Sequence, residues 1–150
     1  MASWPSGYDA VAQQAGCSLL EIPRGKDVEA FLLEKFDAKT HDKWVKQVKK
    51  NVGCILLTHP CSITGKTYTD EELGNYLRLS KKYQIPLVVN EVYASPDHTG
   101  KPYNSITQHP EFKGAEQLVY ISASFSKTFQ QLHLDGTKLA MCWTQNKKWA

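Results

Sequence analysis

Five side chains with acid–base capacity fall on or just after short apolar runs or on the loops beyond them: His59, Glu91, Tyr93, Lys127 and His133. An imidazole, a carboxylate, a phenol and an amine brought together would serve proton transfer, provided that a fold gathers the ends of those runs. Taken singly, each has a plainer reading: a histidine on a loop, a tyrosine at a strand end, a solvated lysine. Cys61 adds a thiol two positions beyond His59, but the two are paired in sequence only, which makes a cysteine nucleophile the weaker reading. The four cysteines (Cys17, Cys54, Cys61 and Cys142) and the five histidines lack the paired ligand spacing of a zinc site, so no metal is expected.

The elements that must position these groups follow from periodicity. Tyr8, Val11, Ala12 and Ala15 recur at helical spacing, and Gly16 is a suitable stop. Cys17 to Ile22 reads as a short apolar strand closed by Pro23 and Gly25. Val28, Phe31, Leu32 and Phe36 predict one amphipathic helix, and Trp44, Val45 and Val48 another. The continuous apolar run from Cys54 to Thr58 has the length of a buried parallel strand covered on both faces. Thr69-Asp70-Glu71-Glu72 is a capping box opening a helix through Leu73, Tyr76, Leu77 and Ser80 to about Tyr83. Pro86 precedes a strand at Leu87 to Asn90, a third follows at Leu118 to Ser122, and Leu139 to Trp143 is a candidate fourth. This alternation predicts an α/β fold with a mostly parallel sheet flanked by helices. Ligand sites in such sheets form beyond the carboxyl ends of the strands, here residues 59–65, 90–93 and 122–128.

Composition sets the limits. The 150 residues are 41% hydrophobic and 22% charged, as in an ordinary globular domain. A net charge of +3 with scattered lysines does not suit nucleic acid; Lys43, Lys46, Lys49 and Lys50 read as a solvated helix face. No run approaches the roughly 20 apolar residues of a membrane span, and the N-terminus lacks the features of a secretory signal. Widely spaced cysteines, two of them in apolar runs that suggest buried thiols, fit a reduced cytoplasmic setting.

The three strand-end segments also carry a family resemblance. His59-Pro60-Cys61-Ser62-Ile63-Thr64-Gly65 is similar to the Asn-Pro-x-Asn-Pro-Thr-Gly loop of fold-type I aminotransferases, which use pyridoxal phosphate. Thr69-Asp70-Glu71-Glu72-Leu73 matches the helix start that follows it. Asn90-Glu91-Val92-Tyr93 resembles Asp-Glu-x-Tyr, and Ser124-Phe125-Ser126-Lys127 resembles Ser-x-Ser-Lys. Ser3-Trp4-Pro5 resembles the family's aromatic turn. Each motif is weak alone; five in the family's order, spread over nearly the whole chain, identify it as the central part of an aminotransferase large domain, a single unit over residues 1–150.

The resemblance implies a site. Lys127 matches the lysine that holds the cofactor as an imine, and Trp4 the aromatic ring that stacks on it. Tyr93 matches the tyrosine that reaches the cofactor's phenolic oxygen, and is with Lys127 the expected catalytic pair. Ser124 matches a phosphate contact. Four positions depart from the pattern. Asn90 replaces the aspartate that keeps the ring nitrogen protonated, and a neutral amide cannot stabilise that charge as a carboxylate does. Ser62 replaces an asparagine that also bonds the phenolic oxygen, and His59 replaces the loop's first asparagine. Asp135 stands where an arginine is usual, which leaves Lys138 as the candidate phosphate cation. The family's phosphate-cradling helix start would precede Trp4, and its substrate-arginine domain would follow the matched segments. Apolar surface facing those parts is expected to drive self-association or pairing with a partner aminotransferase chain. The implied function is a specialised or residual pyridoxal-phosphate activity on an amino-acid-type substrate. Its alternatives are a cofactor-independent enzyme reusing the pocket and a non-catalytic chain that pairs with a partner.

Overall fold

The computed structural model describes residues 7–23, 25–36, 40–62, 64–94, 102–124 and 139–149. Four strands form one sheet in the order β1 (Ile55–Thr58), β2 (Leu87–Asn90), β3 (Val119–Ser124) and β4 (Ala140–Thr144). The first three are parallel; β4 pairs antiparallel with β3. Helices α1 (Gly7–Gln14), α2 (Val28–Lys35) and α3 (His41–Asn51) precede the sheet, and α4 (Asp70–Tyr83) links β1 to β2. The predicted α/β architecture is therefore the observed one, and the fourth run is a true strand. Among the described residues no helix is long and apolar enough to cross a membrane.

Alternation along the strands explains the layering. Ile55, Leu57, Leu87, Val89, Val119 and Ile121 point to one face and are buried. Val28 and Leu32 of α2, Trp44 and Val48 of α3, and Leu73, Leu77 and Tyr83 of α4 join them in a single core cluster. The other face, with Leu56, Val88 and Tyr120, is half-buried. The strands are thus fully covered on one face only by the described elements.

Local chemistry sets the helix ends. Thr69 accepts from the Glu72 amide at 3.2 Å while Glu72 accepts from the Thr69 amide at 2.7 Å, so the expected capping box forms. Gly16, at φ 69°, closes α1: the Cys17 amide reaches the Ala12 carbonyl at 2.8 Å and the Gly16 amide that of Gln13 at 3.0 Å, a Schellman pattern that requires the left-handed backbone.

Two expectations need correction. Residues 17–22 do not form a strand; they run as irregular chain with Leu19 and Leu20 exposed, and only Ile22 packs on the core. An apolar run becomes a strand only where a ladder partner exists, and none of the described strands pairs with it. The thiols are not buried either: Cys17, Cys54 and Cys142 are exposed and Cys61 is half-buried. Cys54 lies before β1 begins, and Cys142 belongs to β4, whose residues are exposed apart from half-buried Thr144.

Candidate functional site

Register and alternation together build the site. Thr58, Asn90 and Ser122 are lateral partners across β1, β2 and β3, so their side chains lie in a row on the half-buried face at the carboxyl end of the sheet. Residues one position further point the opposite way. The ladder continues through His59 N–H to the Asn90 carbonyl (2.9 Å) and Glu91 N–H to the Ser122 carbonyl (2.8 Å). His59 and Glu91 consequently turn inward and are 1% and 6% exposed.

On the row's side, Tyr8 of α1 comes down onto the strand ends. Asn90 Nδ2 donates to the Tyr8 hydroxyl at 2.5 Å, and that hydroxyl lies 3.4 Å from Thr58 Oγ1. Asn90 Oδ1 accepts from the Val92 amide at 3.0 Å. These contacts border a cleft of about 350 Å³ lined by Tyr8, Val11, Thr58, Ser62, Asn90 and Tyr93, together with Gly7 and Val92. Asn90, Ser62 and Tyr93, singled out from sequence, thus meet at one cleft. Ser62 reaches it from the loop after β1, where Gly65, at φ 67°, lets its amide close on the Cys61 carbonyl at 2.8 Å. Tyr93 reaches it from the turn after β2 and is 39% exposed. Ser124 ends β3, half-buried and paired with Ala140 of β4; it is not among the cleft's lining residues. Trp4, Lys127, His133 and Lys138 lie outside the described residues.

Behind the cleft, the inward-pointing pair holds two loops together. His59 Nδ1 accepts from the Tyr68 amide at 3.1 Å, which leaves Nε2 as the protonated nitrogen donating to the Asn104 carbonyl at 3.1 Å. The Glu91 carboxylate accepts from Ser105 Oγ at 2.9 and 3.1 Å and from the Ile106 amide at 3.0 Å. Tyr103 donates to the His59 carbonyl at 2.9 Å. Burial, with the Glu91 charge second, holds the Tyr103 phenol well above its ordinary value, so it remains protonated. Both His59 nitrogens and the Glu91 carboxylate are committed to these loop bonds, and neither residue lines the cleft.

Sequence reading missed Tyr8 and Thr58. Tyr8 appears only as one apolar position of a helical run. Its signal lies in helix α1 itself, which buries no residue and leaves Val11 64% exposed. A helix with so little apolar burial needs a polar anchor, and the Tyr8 hydroxyl supplies one.

A sheet whose parallel strand ends converge on one cleft, with these loops around it, defines a class. Residues 3–142 match the family described as aminotransferase class I and II, and the chain belongs to it. It is similar to YugH of Bacillus subtilis (strain 168), a protein whose aminotransferase activity is inferred, at 30% identity over 122 residues, covering 81% of this chain and 29% of that protein. Among solved structures, the aminotransferase AspB of Helicobacter pylori 26695 superposes with a TM-score of 0.69 at 20% identity, over 96% of this chain and 35% of that one. The pyridoxal-phosphate-bound C-S lyase of Staphylococcus hominis gives 0.56 at 16% identity, over 73% and 27%. At such identities the likeness to solved structures speaks for the fold. The chain spans less than a third of the length of its curated relative.

Proposed function

We propose that this chain forms the cofactor-holding centre of a pyridoxal-phosphate-dependent protein acting on an amino-acid-type substrate. The observation that carries the reading is the convergence of Ser62, Asn90 and Tyr93 on one cleft at the carboxyl ends of β1 and β2. The described residues suit the ring of that group. Four hydroxyls (Tyr8, Thr58, Ser62 and Tyr93) and the Asn90 amide stand around largely apolar walls, the make-up of a site that orients a flat heterocycle. When bound, the cofactor supplies an electron-accepting ring to a substrate amine held on it. The protein's part is to hold and orient. Lys127 would anchor the group covalently, Trp4 would stack on its ring, and Ser62 and Tyr93 would hydrogen-bond its phenolic oxygen. Ser124 and Lys138 would bind its phosphate, and Asn90 would meet its ring nitrogen. The site works in the cytoplasm, within one domain over residues 1–150.

The test is to add pyridoxal phosphate to the purified protein, record the visible band, reduce with borohydride and map the modified lysine. A single stable adduct on Lys127, lost in Lys127→Ala, is the expected result. No band, or labelling scattered over many lysines, refutes the reading.

A second observation favours association with another chain, either a second copy or an aminotransferase partner. Strand β4 lies at the sheet edge formed by the described residues, carries no charged residue, and presents Leu139, Met141 and Trp143 beside or within it at 51%, 53% and 41% exposure. A sharply monomeric species at high concentration in light scattering refutes this part.

A further inference from the structure

We infer that the cleft holds the cofactor with its ring nitrogen unprotonated, and that Tyr8 is the positioning residue that maintains this state through Asn90. The inference rests on the reading of the cleft as a pyridoxal-phosphate site and goes beyond it in specifying the charge state there.

The orientation of the Asn90 amide is determined by its two neighbours. The Val92 N–H at 3.0 Å can only be met by an acceptor, which must be Oδ1. The opposite orientation would set the –NH2 group against a backbone donor. Nδ2 therefore faces Tyr8 and donates one hydrogen to its hydroxyl. Its second hydrogen has no partner among the described residues, and Asn90 lines the cleft. The group offered by this residue is thus a fixed N–H donor. Such a donor complements the lone pair of a neutral ring nitrogen and opposes an N–H carrying positive charge.

Among the described residues of the cleft, no counter-charge offsets that preference. The described residues lining the cleft include none that is charged. The adjacent carboxylate, Glu91, points to the other side of the sheet and is held there by Ser105 and the Ile106 amide. Tyr8 enters because a hydroxyl both accepts and donates. It accepts from the amide now, and it would donate to a carboxylate at position 90. Asn90→Asp is for this reason a substitution that the surrounding bonds tolerate.

The experiment uses cofactor carrying ¹⁵N in the ring, bound to the whole protein, and follows the ¹⁵N chemical shift against pH. The expected wild-type result is the shift of an unprotonated ring nitrogen that stays constant through the pH range in which the free cofactor titrates. Asn90→Asp should move the resonance to the protonated position. Tyr8→Phe removes the acceptor that pins Nδ2 and should make the shift pH-dependent, which a role in packing alone would not do. A protonated resonance in wild-type protein labelled at Lys127, or an unmoved resonance in Asn90→Asp, overturns the inference while leaving the cofactor site standing. A Tyr8→Phe titration identical to wild type overturns the role of Tyr8. Failure to bind the cofactor at Lys127 overturns both the site and the inference.

Discussion

Replacing Glu91 tests whether this acid, which sits in the family motif beside Asn90, holds the fold. Its carboxylate receives two donors: the Ile106 amide at 3.0 Å and the Ser105 hydroxyl, shared between both oxygens at 2.9 and 3.1 Å. Ile106 is fully buried, so its amide has no water to turn to. Hydrogen bonds to a charged acceptor contribute about 1.5–3 kcal/mol each. Glu91→Ala removes both. The Ser105 hydroxyl recovers part of its loss through Thr107 Oγ1, already 3.1 Å away. A net cost of about 3–4 kcal/mol follows, against about 1–2 for Glu91→Gln, which keeps one acceptor for the buried amide. Urea unfolding reads the difference. With a slope of about 1–3 kcal/mol per molar, Glu91→Ala should lower the midpoint by roughly 1–4 M at unchanged slope. A shift below about 0.3 M, or equal shifts for Ala and Gln, would refute the assignment of Glu91 as a buried acceptor holding the 102–106 loop.

Three further outcomes are expected. Thr69→Ala removes the hydroxyl that accepts from the Glu72 amide, leaving the Thr69 amide on the Glu72 carboxylate, and should cost about 1 kcal/mol by urea unfolding, while Thr69→Ser should cost only a fraction of that. Stability should fall as pH rises above about 10, because burial raises the Tyr103 and Tyr83 phenols above that ordinary value. Below it both states are protonated and the contribution is complete; above it the unfolded chain releases protons that the folded one retains. Midpoints measured at pH 8 and about pH 11 should differ, and Tyr103→Phe should reduce the difference. Met141→Lys places a charge on the exposed face of β4 and should lower the mass seen by light scattering at high concentration; an unchanged mass would count against β4 as the association surface.

The fold was legible because its signals are local and redundant. The apolar run ending at Thr58, the capping box at Thr69 and the run ending at Asn90 each carry their own reason to be strand or helix, and together they imply the sheet. Residues 17–22 carry the same apolar signal without a pairing partner, which only the assembled sheet reveals. The cleft was legible in part. Ser62, Asn90 and Tyr93 meet as their positions after strands suggested. His59 and Glu91 carry equally suggestive chemistry, yet the alternation of the strands turns both to the core side, one residue away from the cleft-facing row. The register Thr58–Asn90–Ser122 was needed to tell the two sets apart. Tyr8 was hidden for another reason: its role depends on a hydroxyl reaching across 82 positions of sequence to Asn90.

That long-range bond ties two properties of the molecule together. Helix α1 buries none of its own residues, so apolar packing contributes little to its place on the sheet. What holds it there includes the Tyr8 hydroxyl, bonded to the amide at the end of β2 and close to the hydroxyl at the end of β1. The amide at position 90 therefore serves two ends: it anchors the helix that begins three residues after Trp4, and it presents a donor to the cleft. An aspartate could anchor the same helix by accepting from Tyr8, but it would place negative charge where the described lining is now neutral. Exchange of carboxylate and amide at position 90 would thus change the charge of the cleft while leaving the means of docking α1 in place. Under the proposed function, a change confined in this way to the electrostatics of one site would adjust the cofactor's reactivity and leave the sheet, the loops and the helix that frame the site undisturbed.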